Sequence, residues 1–363
     1  MRLINEELIS TPEVEELWNK IIQDNLLHDL GQEYLWISLW WKYFKDCIVQ
    51  KKILLFIHDS EEASSIWPLM NRKKNFFHGL HVVGQIDGMI TDYAIPICSS
   101  DNVFITELKK VLAGLKNNKI RWSYLKLNLP DWAGYYEEVQ KKQINSAASH
   151  DFLFITKVFD HYASIYLKNS FEKYLETLGK RTRADIRKYL QIFENNNFQF
   201  KIVEGEGLTK VNDSLITKNK QNWTIFKNEQ DDNTVFMQEL VRSHKRITNG
   251  NIIMPALYYN NEIVASVFGY ISSNRCFLHT AGVERTKILN LSPGITLYAL
   301  LIKELITRKI QVLDLSPGIE DYKIRLNAKV ETIYQVIIFP NNLQKFRYTS
   351  GHYLKRIINI FAK

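Results

Sequence analysis

Four residues in the run LDLSPGIEDYKIRL (313–326) carry groups that could serve one reaction: Asp314, Glu320, Tyr322 and Lys323. A carboxylate can take a proton. A phenol can give one, or donate a hydrogen bond to a developing anion, and an ammonium can hold a phosphate or a carboxylate. Asp314 stands between Leu313 and Leu315. A lone buried carboxylate is costly, so this setting places Asp314 near its partners. It reads as a base or as the anchor of the loop that follows. Tyr322 reads as an acid, an oxyanion donor or a packing residue. Lys323 reads as an anion ligand or as the partner of Asp314 or Glu320. His279, in RCFLHTAG (275–282), is a further candidate base, although a lone strand His is more often structural.

The phrase Ser-Pro-Gly in that run reads as a helix start, and it also occurs at 292–294, in NLSPGITLYALLIKELITRK. Ser292 suits an N-cap and Pro293 the first helical position, and Gly294 lets a ligand approach the backbone. The first turn, through Ile295 and Thr296, would present amides and a partial positive charge to a phosphate. Arg285 and Lys287 add charge upstream. A well-capped helix with no ligand is the plainer reading.

Elements must position these groups. Residues 34–46 and 104–118 read as helices, and 51–59, 63–71 and 122–130 as strands, with an extended stretch over 81–97. Further on, 169–196, 208–223 and 234–250 read as helical. Ser170 caps the first of these, and Ile186, Tyr189, Leu190 and Phe193 form its apolar face. Residues 252–284 read as a three-strand meander with turns at YNNE and SSNR. A buried helix over 294–308 and a strand over 310–315 follow. Both halves therefore read helix, meander, helix, strand. The two Ser-Pro-Gly corners would flank one helix and end two neighbouring strands.

The length of 363 residues suits two domains, 1–160 and 161–363. Apolar residues make up 45% and charged residues 24%, an ordinary globular balance. Cys47, Cys98 and Cys276 are scattered, so no disulfide framework or metal site is expected, and a reducing cytoplasm is the natural home. The acidic N-terminus is not read as a signal peptide, and no apolar run of about 18 residues suggests a membrane span. The formal charge of +8 permits a nucleic acid, a membrane surface or a phosphorylated small molecule as partner. The tail 344–363 has five basic residues, no acid and an apolar face, which raises peripheral contact with an anionic inner membrane face.

The chain resembles the GNAT N-acyltransferase superfamily. More closely it is similar to tandem-domain members of the cellulose-biosynthesis type, which share their build with Fem-type aminoacyltransferases. The resemblance rests on LGKRTRADIRKYLQIFE, the meander IVASVFGYISSNRCFLHTAGVE, the corner LSPG before a helix, LDLSPGIEDYKIRL with its Tyr-Lys, and DYAIPI (92–97). The single-domain pyrophosphate signature Arg/Gln-x-x-Gly-x-Gly/Ala is absent, and LSPG stands in its place.

The resemblance implies an α/β (α+β) fold of two tandem GNAT-like domains, each a mixed, mostly antiparallel sheet flanked by helices. It implies N-acyl transfer from an acyl-CoA, acetyl-CoA first, without a metal. Asp314, Glu320, Tyr322, Lys323 and His279 are then the catalytic candidates. Arg285, Lys287, Ser292, Pro293, Gly294, Ile295 and Thr296 would hold the donor. Asp92, Tyr93 and Trp223 would line the acceptor groove between the domains. The acceptor would be a small-molecule amine, a sugar nucleotide or glycan precursor, and not DNA. One rival is an aminoacyl-tRNA donor. The other is a degenerate, non-catalytic binding protein.

Overall fold

The computed structural model describes residues 1–4, 10–24, 28–45, 53–61, 63–74, 77–83, 95–145, 153–220, 230–284, 286 and 288–350. The first half runs β1 (Arg2–Ile4), α1 (Pro12–Asp24), α2 (Tyr34–Phe44), β2 (Ile53–Asp59), β3 (Ser64–Lys74), β4 (Phe77–Val82), a short β5 (Ile97–Cys98), α3 (Phe104–Asn117), β6 (Tyr124–Pro130), α4 (Tyr135–Asn145) and β7 (Leu153–Tyr166). Two connecting helices follow, α5 (Phe171–Thr177) and α6 (Lys180–Asn195). The second half runs β8 (Phe198–Val203), α7 (Leu208–Lys220), α8 (Gln230–Arg242), β9 (Asn251–Tyr259), β10 (Glu262–Ser272), β11 (Arg275–Val283), α9 (Pro293–Thr307), β12 (Val312–Pro317), α10 (Asp321–Arg325) and β13 (Lys329–Phe339). Apart from β5, the second half repeats the element order of the first.

The described strands form one sheet ordered β1-β2-β3-β4-β6-β13-β7-β12-β11-β10-β9-β8, with β5 on β3. The order is palindromic when each strand is matched to its counterpart. The closing strands are exchanged: β13 of the second half pairs with β6 of the first, and β7 of the first pairs with β12 of the second. They meet at the centre, antiparallel from Lys329↔Ser164 to Phe339↔Leu153. A boundary between residues 160 and 161 thus falls inside β7, beside a bulge at Phe159.

Local chemistry explains most elements. On α1, Val14, Trp18, Ile21 and Ile22 share one face and are buried. Asn260 and Asn261 adopt φ of 50° and 66° between β9 and β10, as a mirror-type hairpin turn demands. Helix α9 is buried along most of its length, because it is apolar on nearly every side. The stretch 169–196 is two helices rather than one. Leu178 and Gly179 leave the helical conformation, and the Ser170 hydroxyl caps the first piece at the Lys173 amide. Ile186 and Tyr189 of α6 are buried in the core beneath α9.

The sheet has two covered faces. One core gathers α1, α2, α7 and α8 across both halves, with Trp36, Trp40 and Phe236 at its heart. On the other face, α3 and α4 cover the first half and α5, α6 and α9 the second. Among the described residues no helix is long and apolar enough to cross a membrane.

Candidate active site

The distinctive feature of the second half lies between β11 and β12. The two strands pair in parallel only at Arg275↔Val312, Cys276↔Leu313 and Phe277↔Asp314. Beyond that point β11 stays on β10 as far as Val283, while β12 turns away. The β10–β11 register slips at this place: Phe268 faces Thr280 and Gly269 faces Leu278, so His279 is the bulged residue. A wedge opens between the strands, and among the described residues no strand pairs with that edge of β11 beyond Phe277. The first half repeats the pattern, since β4 and β6 pair in parallel over Gly79↔Tyr124, Leu80↔Leu125 and His81↔Lys126.

The second Ser-Pro-Gly does not start a helix, contrary to the sequence-based expectation. It is the corner that ends β12, and α10 begins three residues later at Asp321. Ser316 and Gly318 take φ of 68° and 98° to turn the chain. The Ser316 hydroxyl donates to the Leu278 carbonyl across the apex of the wedge. The Gly318 amide donates to His161 of β7 at 2.9 Å.

Asp314 is fully buried and takes Arg275 Nη2 at 2.8 Å on Oδ2, while its Oδ1 accepts the Ser316 amide at 2.9 Å. Arg275 also donates to the Ser164 hydroxyl at 3.0 Å and lies 5.6 Å from the Trp132 ring of the first half. Removing one member of such a buried pair leaves an uncompensated charge, at a cost of about 3–5 kcal/mol. Asp314 thus anchors the loop after it. Lys323 is 2% exposed, and its ammonium donates to the carbonyls of Ser316, Pro317 and Gly318 at 2.9, 2.9 and 3.2 Å. It also pairs with Glu320 at 2.8 Å. Its donors are committed to holding the corner.

Tyr322 stacks on the buried Tyr298 of α9 at 5.4 Å, with the two hydroxyls 3.5 Å apart. Burial above all raises its phenol pKa, against the opposing hydrogen bond with Tyr298, and the charge of Glu320 adds a smaller push upward. The hydroxyl therefore stays protonated near neutral pH and can act as a donor.

The first Ser-Pro-Gly does start a helix. Ser292 is the N-cap residue, but its side chain makes no cap; its carbonyl accepts the Thr296 amide and hydroxyl. A tight turn precedes it, with Leu289 and Asn290 at φ of 51° and 64°. A Cβ on Gly294 would lie 3.3 Å from Val283, so the first turn of α9 sits at the far end of β11, beside the open wedge. Pro293, Ile295 and Thr296 complete that turn. Arg285, Lys287, Asp92, Tyr93 and Trp223 lie outside the described residues.

His279 turns away from this group. Its Nε2 lies 3.3 Å from Oδ1 of the buried Asp29, and its ring packs near Phe268 on the opposite face of the sheet. Cys98 and Cys276 are buried, and burial above all pushes both thiols up, which leaves neither poised as a nucleophile. Among the described residues no group of His, Cys, Asp or Glu is gathered to hold a metal ion.

Reading by sequence missed Arg275, Tyr298, Trp132 and Glu331. Arg275 had one signal, a cation opening an otherwise apolar strand, and Glu331 sits in KVETIYQVIIF, a strand left unassigned.

Residues 180–324 match the family model described as an acetyltransferase (GNAT) domain. No curated protein sequence matches the chain. Among solved structures, FemX shares 8% identity at a TM-score of 0.57, with 95% of this chain and 99% of that one covered. A conserved protein of unknown function from Bacteroides thetaiotaomicron shares 13% identity at 0.56, covering 90% and 97%. The C-terminal domain of a putative lysylphosphatidylglycerol synthetase from Agrobacterium fabrum shares 10% identity at 0.50, covering 94% and 96%. The second half is thus similar to a GNAT acetyltransferase domain, within a mixed α/β fold that the whole chain shares with FemX.

Proposed function

We propose that the protein is an N-acyltransferase that moves an acyl group from acyl-CoA, acetyl-CoA first, to an amine. The observation that carries this reading is the wedge between β11 and β12, which opens beside the first turn of α9. A donor lying in the wedge can pair its amides with the free edge of β11, as any extended chain can with an open strand. Its phosphates then reach the amides of Gly294, Ile295 and Thr296, next to Ser292 and Pro293. The thioester comes to the apex, by the His279 bulge and the Ser316 corner. Transfer needs an amine that has lost a proton, a donor for the developing oxyanion and an acid for the thiolate. Tyr322 is the acid on this reading, with Asp314, Glu320 and Lys323 fixing the corner that presents it.

The acceptor approaches from the face away from α9, at the junction of the halves, where Asp92, Tyr93 and Trp223 are proposed to contribute. By resemblance it is a sugar nucleotide or glycan precursor. Acyl-CoA is a cytoplasmic metabolite, so this reading locates the protein in the cytoplasm. Leu343 and Phe346 are 56% and 67% exposed on the helical segment 342–350, together with Lys345 and Arg347. A neighbouring groove of about 650 Å³ is lined in part by Lys116, Lys119, Arg121 and Gln344. Both support peripheral contact with an anionic membrane, although 351–363 lies outside the described residues.

Calorimetric titration with acetyl-CoA tests the donor. Saturable binding that Gly294→Asp abolishes is the expected result, since the change puts bulk and negative charge at the phosphate end. Binding that the variant leaves intact moves the donor elsewhere. A second reading, an aminoacyl-tRNA donor, draws on the formal charge of +8. It predicts salt-sensitive tRNA binding and no affinity for acyl-CoA.

A further inference from the structure

The central strands β7 and β13 hold a group that neither Ser-Pro-Gly corner accounts for. Glu331 stands opposite Tyr162 in the β13–β7 register, and Tyr162 stands opposite Pro317 of the corner in the β7–β12 register. Neighbouring strands lie about 4.8 Å apart, so Glu331 is two strands, about 10 Å, from the apex of the wedge. Tyr162 belongs to the core on the face away from α9, and Glu331, its direct cross-strand neighbour, shares that face.

Glu331 is buried, with 8% of its side chain exposed. Its Oε1 accepts the Tyr166 hydroxyl and lies 3.4 Å from Lys329 Nζ. Its Oε2 is buried and has no hydrogen-bond partner among the described residues. An unfilled carboxylate oxygen out of water is costly and calls for a donor.

The surroundings favour a cation. The nearby guanidinium of Arg275 is already bound by Asp314. A second carboxylate, Asp131, accepts the Thr332 amide one residue along β13. Burial above all holds the Asp131 carboxyl above its usual range against that amide bond, and the charge of Glu331 adds to the rise. Aromatic faces surround the spot, and they attract cations: Arg275 lies 5.6 Å from the Trp132 ring and 5.9 Å from that of Tyr162, and Lys329 lies 5.6 Å from that of Tyr166. Tyr166 is 46% exposed, so the strip is reachable from solvent.

We propose that Glu331 is the carboxylate that receives the acceptor's ammonium as it docks, before the amine loses its proton to water and reaches the apex, and that the acceptor lies along β7 and β13 against Trp132, Tyr162 and Tyr166. The inference deepens the acyl-transfer reading and rests on it for the identity of the reaction. It names the acceptor class as a primary amine, cationic when it binds, on a skeleton with an apolar face for the rings.

The test uses the full chain and two pairs of probes: glucosamine with glucose, and cadaverine with pentane-1,5-diol. Binding is followed by saturation-transfer NMR and calorimetry for the wild type and Glu331→Gln. Both amines should bind the wild type, and the variant should bind them at least about tenfold more weakly, the usual effect of losing a charge-assisted hydrogen bond. The uncharged probes should not distinguish the two proteins. Amines that bind both proteins equally, bind no better than their uncharged partners, or do not bind at all overturn the proposal. Thermal unfolding of Glu331→Gln should be unchanged or later than wild type, because the exchange removes a buried charge without changing shape. Titration of both proteins with acetyl-CoA separates the two ideas. Loss of acetyl-CoA binding in the wild type removes the donor reading, whereas Glu331-dependent amine binding stands or falls by itself.

Discussion

At the residue scale, the groups around the second corner divide into those that hold and those that remain free to act. Asp314 is bound to Arg275 and the Ser316 amide, and Lys323 to three carbonyls and Glu320. Tyr322 keeps a hydroxyl that, among the described residues, has the Tyr298 hydroxyl at 3.5 Å as its hydrogen-bond neighbour. Tyr322→Phe should therefore lower turnover by about 10²-fold or more while acetyl-CoA affinity stays within about twofold, the size expected for loss of a general acid. Steady-state kinetics beside calorimetry reads both quantities; unchanged turnover would reduce Tyr322 to packing. Of the first residues read, Asp314 showed from sequence that it needed a partner. That the partner is Arg275, 39 positions upstream, is a matter of strand pairing that local sequence does not encode.

At the element scale, the site depends on where β11 ends. Helix α7 packs directly on that end: a Cβ on Gly282 would come 2.8 Å from the Leu215 carbonyl and 3.1 Å from its Cα. Main chain cannot yield as a side-chain tip does, so Gly282→Val should push α7 off the strand. The expected loss of stability is about 1–3 kcal/mol, with acetyl-CoA affinity falling as the β11 edge shifts. Chemical denaturation and titration of the same preparation check both; an unchanged midpoint would mean that α7 is free to move. The meander, α9 and the first Ser-Pro-Gly were legible because turn residues and apolar periodicity act locally. The break at Gly179 was not, since Ser170 and the apolar face of α6 are both consistent with one helix.

At the scale of the whole molecule, the exchanged closing strands make each half part of the other. A buried polar link adds to this. Glu33 receives Tyr270 of β10 at 2.7 Å and the Thr248 amide at 3.1 Å, and it lies 2.9 Å from His28 Nε2. Burial opposes its ionisation, but the bonds and charge of His28, with those of Tyr270 and Thr248, outweigh that and leave its pKa below the ordinary 4.5. A carboxyl with a depressed folded pKa contributes stability that is present above its unfolded pKa and is lost as pH falls through the folded one. Wild type should therefore lose melting temperature on acidification below about pH 4.5, more steeply than Glu33→Gln. Melting curves from pH 7 to pH 3 test this, and parallel curves for the two proteins would remove Glu33 from the link.

The sequence by itself determined the main ingredients: the run helix, meander, helix, strand within each half, the turn residues, the buried helix that bears the first Ser-Pro-Gly, and the need of Asp314 for company. These follow from propensities and periodicities that operate within a dozen residues. Only the tertiary structure decided that β7 and β13 trade places, that β11 and β12 part after three paired residues, and that Arg275 and Glu331 stand near one wedge. Strand partners come from residues tens to hundreds of positions apart. The free energy that selects them is burial shared across the whole sheet, which no local stretch of sequence carries.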